Sequence, residues 1–165
     1  MPHLGQLPGD HPPATRETLG QAIHAEHEAH KLAPQPHPHP DPWESTRDDN
    51  RESSRSAADH ALIKLAAIGK TLHEARSQPK NAAPLVAPNS PEETQLAQME
   101  HHRWLAERLM TDWRYAVIGE DQVVIDAKKD QRLNQTITPW GNLSQEERDK
   151  DFGQVRTVLG ATLQN

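Results

Sequence analysis

The stretch Ser90-Pro91-Glu92-Glu93-Thr94-Gln95-Leu96-Ala97-Gln98-Met99-Glu100-His101-His102-Arg103-Trp104-Leu105-Ala106-Glu107-Arg108-Leu109-Met110 decides the fold. Ser90 is a natural N-cap, and Pro91 suits the first helical position, where a missing N–H costs nothing. Glu93, three residues after the serine, completes a capping box. Leu96, Met99, Leu105 and Leu109 are expected among the buried positions of a helix running to about Met110.

Upstream, Thr15 is placed to cap a helix reaching about Lys31, with Leu19, Ala22 and Ile23 as a thin apolar stripe. Pro34, Pro36, Pro38, Pro40 and Pro42 then alternate with other residues, a pattern that excludes helix and favours an extended connector. A second helix is expected from Ser45 or Thr46, with Asp48 and Asp49 near its positive end. Its apolar residues Ala57, Ala58, Ala61, Leu62, Leu65 and Ile68 fall at spacings of three and four, and Gly69 suits its C-terminal cap.

Downstream, Trp113, Tyr115, Val117, Val123, Val124, Ile125 and Ile137 suggest a small β-hairpin turning at Gly119-Glu120-Asp121. Ser144-x-x-Glu147 opens a final helix carrying Phe152, Val155, Val158 and Leu159. The fold class is therefore mainly α, in two pseudo-repeated helix–arm–helix halves with a small hairpin in the second. The expected division is a flexible tail over 1–14, a first half over 15–76, a linker over 77–90 and a second half over 91–165.

The repeat rests on a shared order of elements. Leu19-Gly20-Gln21-Ala22-Ile23-His24 aligns with Leu96-Ala97-Gln98-Met99-Glu100-His101. Each helix is followed by a Pro-Trp pair, Pro42-Trp43 and Pro139-Trp140, and then by a charged helix with Arg51 and Leu62, or Arg148 and Leu159, at matching offsets.

Composition narrows the function. The 165 residues carry 24 acids against 18 bases, a net charge of −6, so the basic footprint of a nucleic-acid polymer binder is missing. A hydrophobic share of 33% leaves part of the chain outside any core. There are no cysteines, hence no disulfide framework and no thiolate chemistry. Met1-Pro2-His3-Leu4-Gly5 has no basic or apolar signal-peptide region, and no apolar run approaches the ~20 residues of a membrane helix. A cytoplasmic protein without membrane partners is expected. No nucleophile elbow, phosphate loop or dinucleotide glycine motif occurs, and no enzyme activity or cofactor is expected.

The motifs resemble the ryanodine-receptor (RyR) domain, a module repeated in ryanodine receptors and also found in bacterial and phage proteins. Leu96-Ala97 with Glu100-His101-x-Arg103-Trp104 is similar to that family's helix signature. Trp113-Arg114-Tyr115 resembles its Gly-Trp-x-Tyr-Gly element, and Pro139-Trp140-x-x-Leu143 its Pro-aromatic-x-x-Leu. Glu52–Gly69 resembles the first half of the bacterial stand-alone type. The likeness covers about residues 15–163. Asp112 and Ala116 stand where the family has glycines, Ser54 replaces a common asparagine, and His27 lies where the second half has Trp104. The stretch 118–136 is long and lacks the usual His-Pro.

Such a module implies a non-enzymatic site for a small anionic, nucleotide-derived signal, sensed or, in a phage or defence setting, sequestered. On the helix, Glu100, His101 and Trp104 can share a face, an indole stacking on a flat ring while acid and imidazole bond its edge. Equally, Trp104 can fill the core and His101 can satisfy a nearby carbonyl. Trp113 and Tyr115 are candidates for stacking, whereas Trp43 and Trp140 also suit a hydrophobic staple before a helix. Arg51, Arg55, Lys64, Arg103, Arg108, Arg114 and Arg148 are available for an anion, and the resemblance favours Arg55 and Arg103. The candidate ligand-binding set is thus Trp43, Arg55, Glu100, His101, Arg103, Trp104, Trp113, Tyr115 and Trp140.

Two other readings stay open. One is a protein-interaction or scaffold module without a small ligand, including a homo-oligomer. The other is a metal binder using some of the 11 histidines, of which His24, His27 and His30 fall three residues apart and His37 and His39 follow. Residue His30 is rotated away from the first of these, and no compact ligand motif is present, so no metal site is assigned.

Overall fold

The computed structural model describes residues 13–31, 42–79, 82–119 and 122–164. It is mainly helical: α1 (Pro13–Lys31), α2 (Asp48–Ala67), α3 (Leu72–Arg76), α4 (Pro91–Met110), α5 (Gln122–Asp130) and α6 (Gln145–Gln164). One-turn 3-10 helices cover Trp43–Ser45 and Trp140–Asn142, and two short strands, β1 (Arg114–Tyr115) and β2 (Leu133–Asn134), form one small sheet. Among the described residues no helix is long and apolar enough to cross a membrane.

Helix α1 lies along α2 and α4 along α6, while α2 and α6 touch each other and each also touches the other's partner. The reason is the pattern of small residues. Ala57, Ala58 and Ala61 let α1 approach until Leu19, Ile23 and Val158 close over them. A second cluster joins Leu65, Ala75, Leu96, Ala97, Val155 and Leu159. Each buried leucine or isoleucine contributes roughly 1.5–3 kcal/mol relative to exposure. Since α2 and α6 serve both clusters, the two ends of the chain share their core. Leu85 and Val86, from the stretch expected as linker, pack against the second cluster.

The helix ends show which signals acted. The hydroxyl of Ser90 accepts from the Glu93 amide at 3.1 Å, as expected. The Glu93 carboxylate, however, takes the Asn89 amide at 2.7 Å, because the Ser90 amide already donates to the Ala87 carbonyl. A full capping box occurs instead at Thr71 and Glu74, opening the short α3, which the sequence reading missed. Neither Ser45 nor Thr46 starts α2. The Thr46 hydroxyl is bonded to the Pro42 carbonyl at 2.9 Å and lies 3.1 Å from His24 Nε2, so the helix starts after Arg47.

Gly69, with φ of 68°, ends α2 as expected. Asp112 does the same for α4 with φ of 63°. In both cases two amides turn back to helix carbonyls in the Schellman pattern: Gly69 to Ala66 and Lys70 to Leu65, Asp112 to Leu109 and Trp113 to Arg108.

Two expectations are corrected. Among the described residues between 113 and 137 there is no hairpin. β1 and β2 pair in parallel, Arg114 with Leu133 and Tyr115 with Asn134, with α5 as the crossover. Val123 and Val124 are helical, showing that β-branched propensity yields to context. Glu120 and Asp121, in the expected turn, lie outside the described residues, as do His37 and His39. Leu109 is exposed rather than buried. In that last turn of α4 the inward position is taken by Arg108, buried with its guanidinium against the Trp104 and Trp113 rings.

Candidate functional site

All the candidate residues but Tyr115 fall into three arrangements. The first joins α1, the 3-10 turn and α2. Indole Nε1 of Trp43 donates to Glu17 Oε1 at 2.8 Å, and Arg55 Nε donates to Glu17 Oε2 at 2.6 Å. The Arg55 guanidinium sits 5.3 Å from the Trp43 ring centroid, with the His24 ring edge-on at 5.5 Å. Bonds from Arg55 and then Trp43 hold the Glu17 carboxyl at about 2. Gly20 allows this approach, since a Cβ there would come within 3.0 Å of Arg55 Cγ and 3.4 Å of Trp43 Cη2. Arg55 and Trp43 are thereby satisfied within the protein.

The second arrangement is a buried ion cluster between α2 and α4. Lys64 Nζ lies 2.7 Å from Glu100 Oε2, and Arg103 grips Glu100 Oε1 through Nη2 at 2.7 Å. Arg103 Nη1 also reaches Glu107 at 2.7 Å and Ser56 Oγ at 3.2 Å, and His60 Nδ1 faces Lys64 Nζ at 3.1 Å. Burial pushes the Glu100 carboxyl up, but the charges and hydrogen bonds of Arg103 and Lys64 outweigh it and hold the group at about 2. Burial lowers Lys64, while burial and then the Lys64 charge lower His60 to about 4. Buried carboxylates need such partners to remain ionised. Glu100 and Arg103 thus hold two helices together.

The third arrangement surrounds His101. Its Nε2 is 2.7 Å from the Thr138 carbonyl oxygen, and its Nδ1 is 3.4 Å from Asp151 Oδ2 on α6. The Trp104 ring stacks on it at 6.1 Å, and Trp140 meets it edge-on at 5.9 Å. Trp140 in turn touches Phe152 at 6.1 Å and lies under the Arg148 guanidinium at 5.6 Å. Arg108 joins this group to the arm, residues 111–138, its guanidinium 5.6 Å from Trp104 and 4.9 Å from the buried Trp113.

The structure therefore gathers His101, Trp104 and Trp140, links Trp113 to them through Arg108, and turns Glu100 and Arg103 toward α2. Tyr115 stands apart on β1, 56% exposed. Two partly open depressions, of about 220 and 320 Å³, lie elsewhere, the first near Lys129, Asn134 and Lys150 and the second near Thr94, Phe152 and Arg156. No candidate residue lines either. His24 is engaged by Thr46 and Trp43, and among the described residues no group of three or more His, Cys, Asp or Glu side chains is placed to hold a metal ion.

Sequence reasoning missed Glu17, His60, Thr138 and Asp151 and set Lys64 among the cations available for an anion. For Lys64 a signal existed, since it falls three residues after Ala61 and seven after Ala57, on the buried stripe. Asp151 and Thr138 reach His101 only through the tertiary fold, which no local pattern announces. Compared with known proteins, the chain matches no family model, no curated protein and no solved structure.

Proposed function

We propose that the chain is a non-enzymatic interaction module of RyR-like, two-half design, whose arm and adjoining α4 terminus contact a protein partner. One observation carries this reading: large apolar side chains are exposed together in sequence, at Leu109, Met110, Tyr115, Val117 and Val123, with Met110 81% accessible. Contiguous exposed apolar patches mark interaction surfaces, and these side chains all fall between residues 109 and 123. The inner aromatic and charged residues are meanwhile bonded to one another.

Several correspondences support the two halves. Pro42 and Pro139 each precede a one-turn 3-10 helix with φ, ψ of −60°, 145° and −57°, 148°. His24 and His101 meet Trp43 and Trp140 edge-on at nearly equal distances. Leu19 and Leu96 are both fully buried. Arg51 and Arg148, each eight residues beyond its tryptophan, both leave a buried Nε without a hydrogen-bond partner.

The test uses the full chain and the double variant Met110→Glu/Val117→Glu. The wild type is expected to retain a defined partner, or to self-associate in sedimentation, and the folded variant to lose that contact. Identical association by both proteins rejects the reading.

A second reading, a small anionic nucleotide-derived ligand, is favoured by Arg148, whose unpaired Nε lies beside the Trp140 face. It expects a thermal shift with cyclic nucleotides or cyclic ADP-ribose variants that Arg148→Ala abolishes. Indifference to all of these would leave the protein-contact reading alone.

A further inference from the structure

The ring of His101 connects three segments: α4, which carries it, α6 through Asp151, and the end of the arm through Thr138. A carbonyl oxygen can only accept, so Nε2 carries a hydrogen for the 2.7 Å contact with Thr138. The other nitrogen, Nδ1, then faces the Asp151 carboxyl at 3.4 Å. A neutral ring would present its Nδ1 lone pair to an ionised carboxylate, two acceptors face to face. The arrangement is bonded only when one proton lies between them, on Nδ1 or on Asp151.

We propose that His101 and Asp151 form a proton-operated clasp, closed while the pair holds this shared proton and weakened when it leaves, so that pH sets how firmly the arm's end is fastened to α4 and α6. The clasp stands whether or not the arm meets a partner. Its consequence for a partner rests on the contact reading above.

Several charged neighbours surround the same pair. On α4, Glu100 lies next to His101, Arg103 neutralises Glu100, and the His102 ring is 6.2 Å from that of His101. On α6, Glu147 and, from α4, Glu100 disfavour ionisation of Asp151, while Arg148 covers the far partner Trp140. From α2, Lys64 interacts with the Asp151 charge. Burial opposes charge on His101, but Asp151 and the Thr138 carbonyl outweigh it and raise its affinity for the proton. Burial raises Asp151 as well. Both groups bind protons more tightly folded than unfolded. The His101 part of the clasp's contribution is therefore complete below the ordinary histidine value near 6.5 and is lost as pH rises through the folded His101 value.

The experiment is a histidine NMR titration of the full chain from about pH 6 to about pH 9, with amide exchange measured alongside and corrected for its intrinsic pH dependence. His101 is assigned by comparison with His101→Gln. The reporting amides are those of Arg114 and Ala116, which donate to Arg132 and Asn134 across the strand pair, and of Thr138, with Leu65 in α2 as control. The expected result is a His101 titration above the ordinary range, with a several-fold loss of arm protection through it and none at Leu65. In Asp151→Asn the carboxamide can donate to Nδ1 of a neutral ring, so arm protection should not change with pH. A His101 titration at or below the ordinary range overturns the clasp even if the variant fails to fold. So does arm protection that ignores the titration, or a folded Asp151→Asn variant with the wild-type pH dependence.

Discussion

Lys64 and Glu100 meet 2.7 Å apart with side chains 0% and 2% exposed, and Glu100 lies between two cations, since Arg103 holds its other oxygen. Removing one member of a buried ion pair costs more than the pair contributes, because the survivor is stranded. The survivors here are unequal. Glu100→Gln leaves both Lys64 and Arg103 facing an amide and should cost about 3–5 kcal/mol in urea unfolding. Lys64→Met leaves Glu100 gripped by Arg103 and fills the space with a flexible apolar chain, so the loss should be clearly smaller. Equal losses would show that Arg103 does not compensate.

Acid should act on the same cluster in two stages. His60 is lowered to about 4 folded against 6.5 unfolded, so its contribution is present above 6.5 and lost as pH falls toward 4. Glu100, held at about 2 against 4.5, contributes above 4.5 and is lost as pH falls toward 2. His60→Gln should flatten the upper stage of a stability–pH curve and leave the lower one. An unchanged upper stage would assign it to another histidine.

The two helix caps make a matched pair. Gly69→Ala places a Cβ on a left-handed residue and should cost about 1 kcal/mol. Asp112→Gly relieves the same geometry at the end of α4 and should be neutral or stabilising by up to about 1 kcal/mol. Chemical denaturation of both variants checks the opposite signs.

Trp113 and Tyr115 are two residues apart and should behave as opposites. Trp113 is buried against Arg108, so Trp113→Ala should cost about 3–5 kcal/mol. Tyr115→Ala should change stability by less than about 0.5 kcal/mol while weakening partner association. A large stability loss at Tyr115 would place it in the frame and not on the contact surface.

Where chain-local physics acts alone, the sequence was readable. The start of α4 followed from Ser90 and Pro91, and its expected end at Met110 is the observed one. Gly69 marked the end of α2, and Ser144 accepts from the Glu147 amide at 3.2 Å at the start of α6. The expectation that His101 could serve a nearby carbonyl anticipated Thr138 without naming it. Reading failed where distant groups decide. Thr46 looks like an N-cap, but Pro42 and His24 claim its hydroxyl. Val123-Val124-Ile125 looks like a strand, but the segment forms a helix between parallel strands. The pairing of Asp151 with His101 depends on how α6 crosses α4, and nothing within either helix states it.

The arm leaves the helical frame at Trp113 and rejoins it at Ile137, both buried, while Met110, Tyr115 and Val117 beside and within it are exposed. It is therefore an insert hung between two fixed posts. Substitutions between the posts weigh little on folding, whereas those in the posts weigh heavily. A frame of this kind can carry a rewritten insert while its core stays the same.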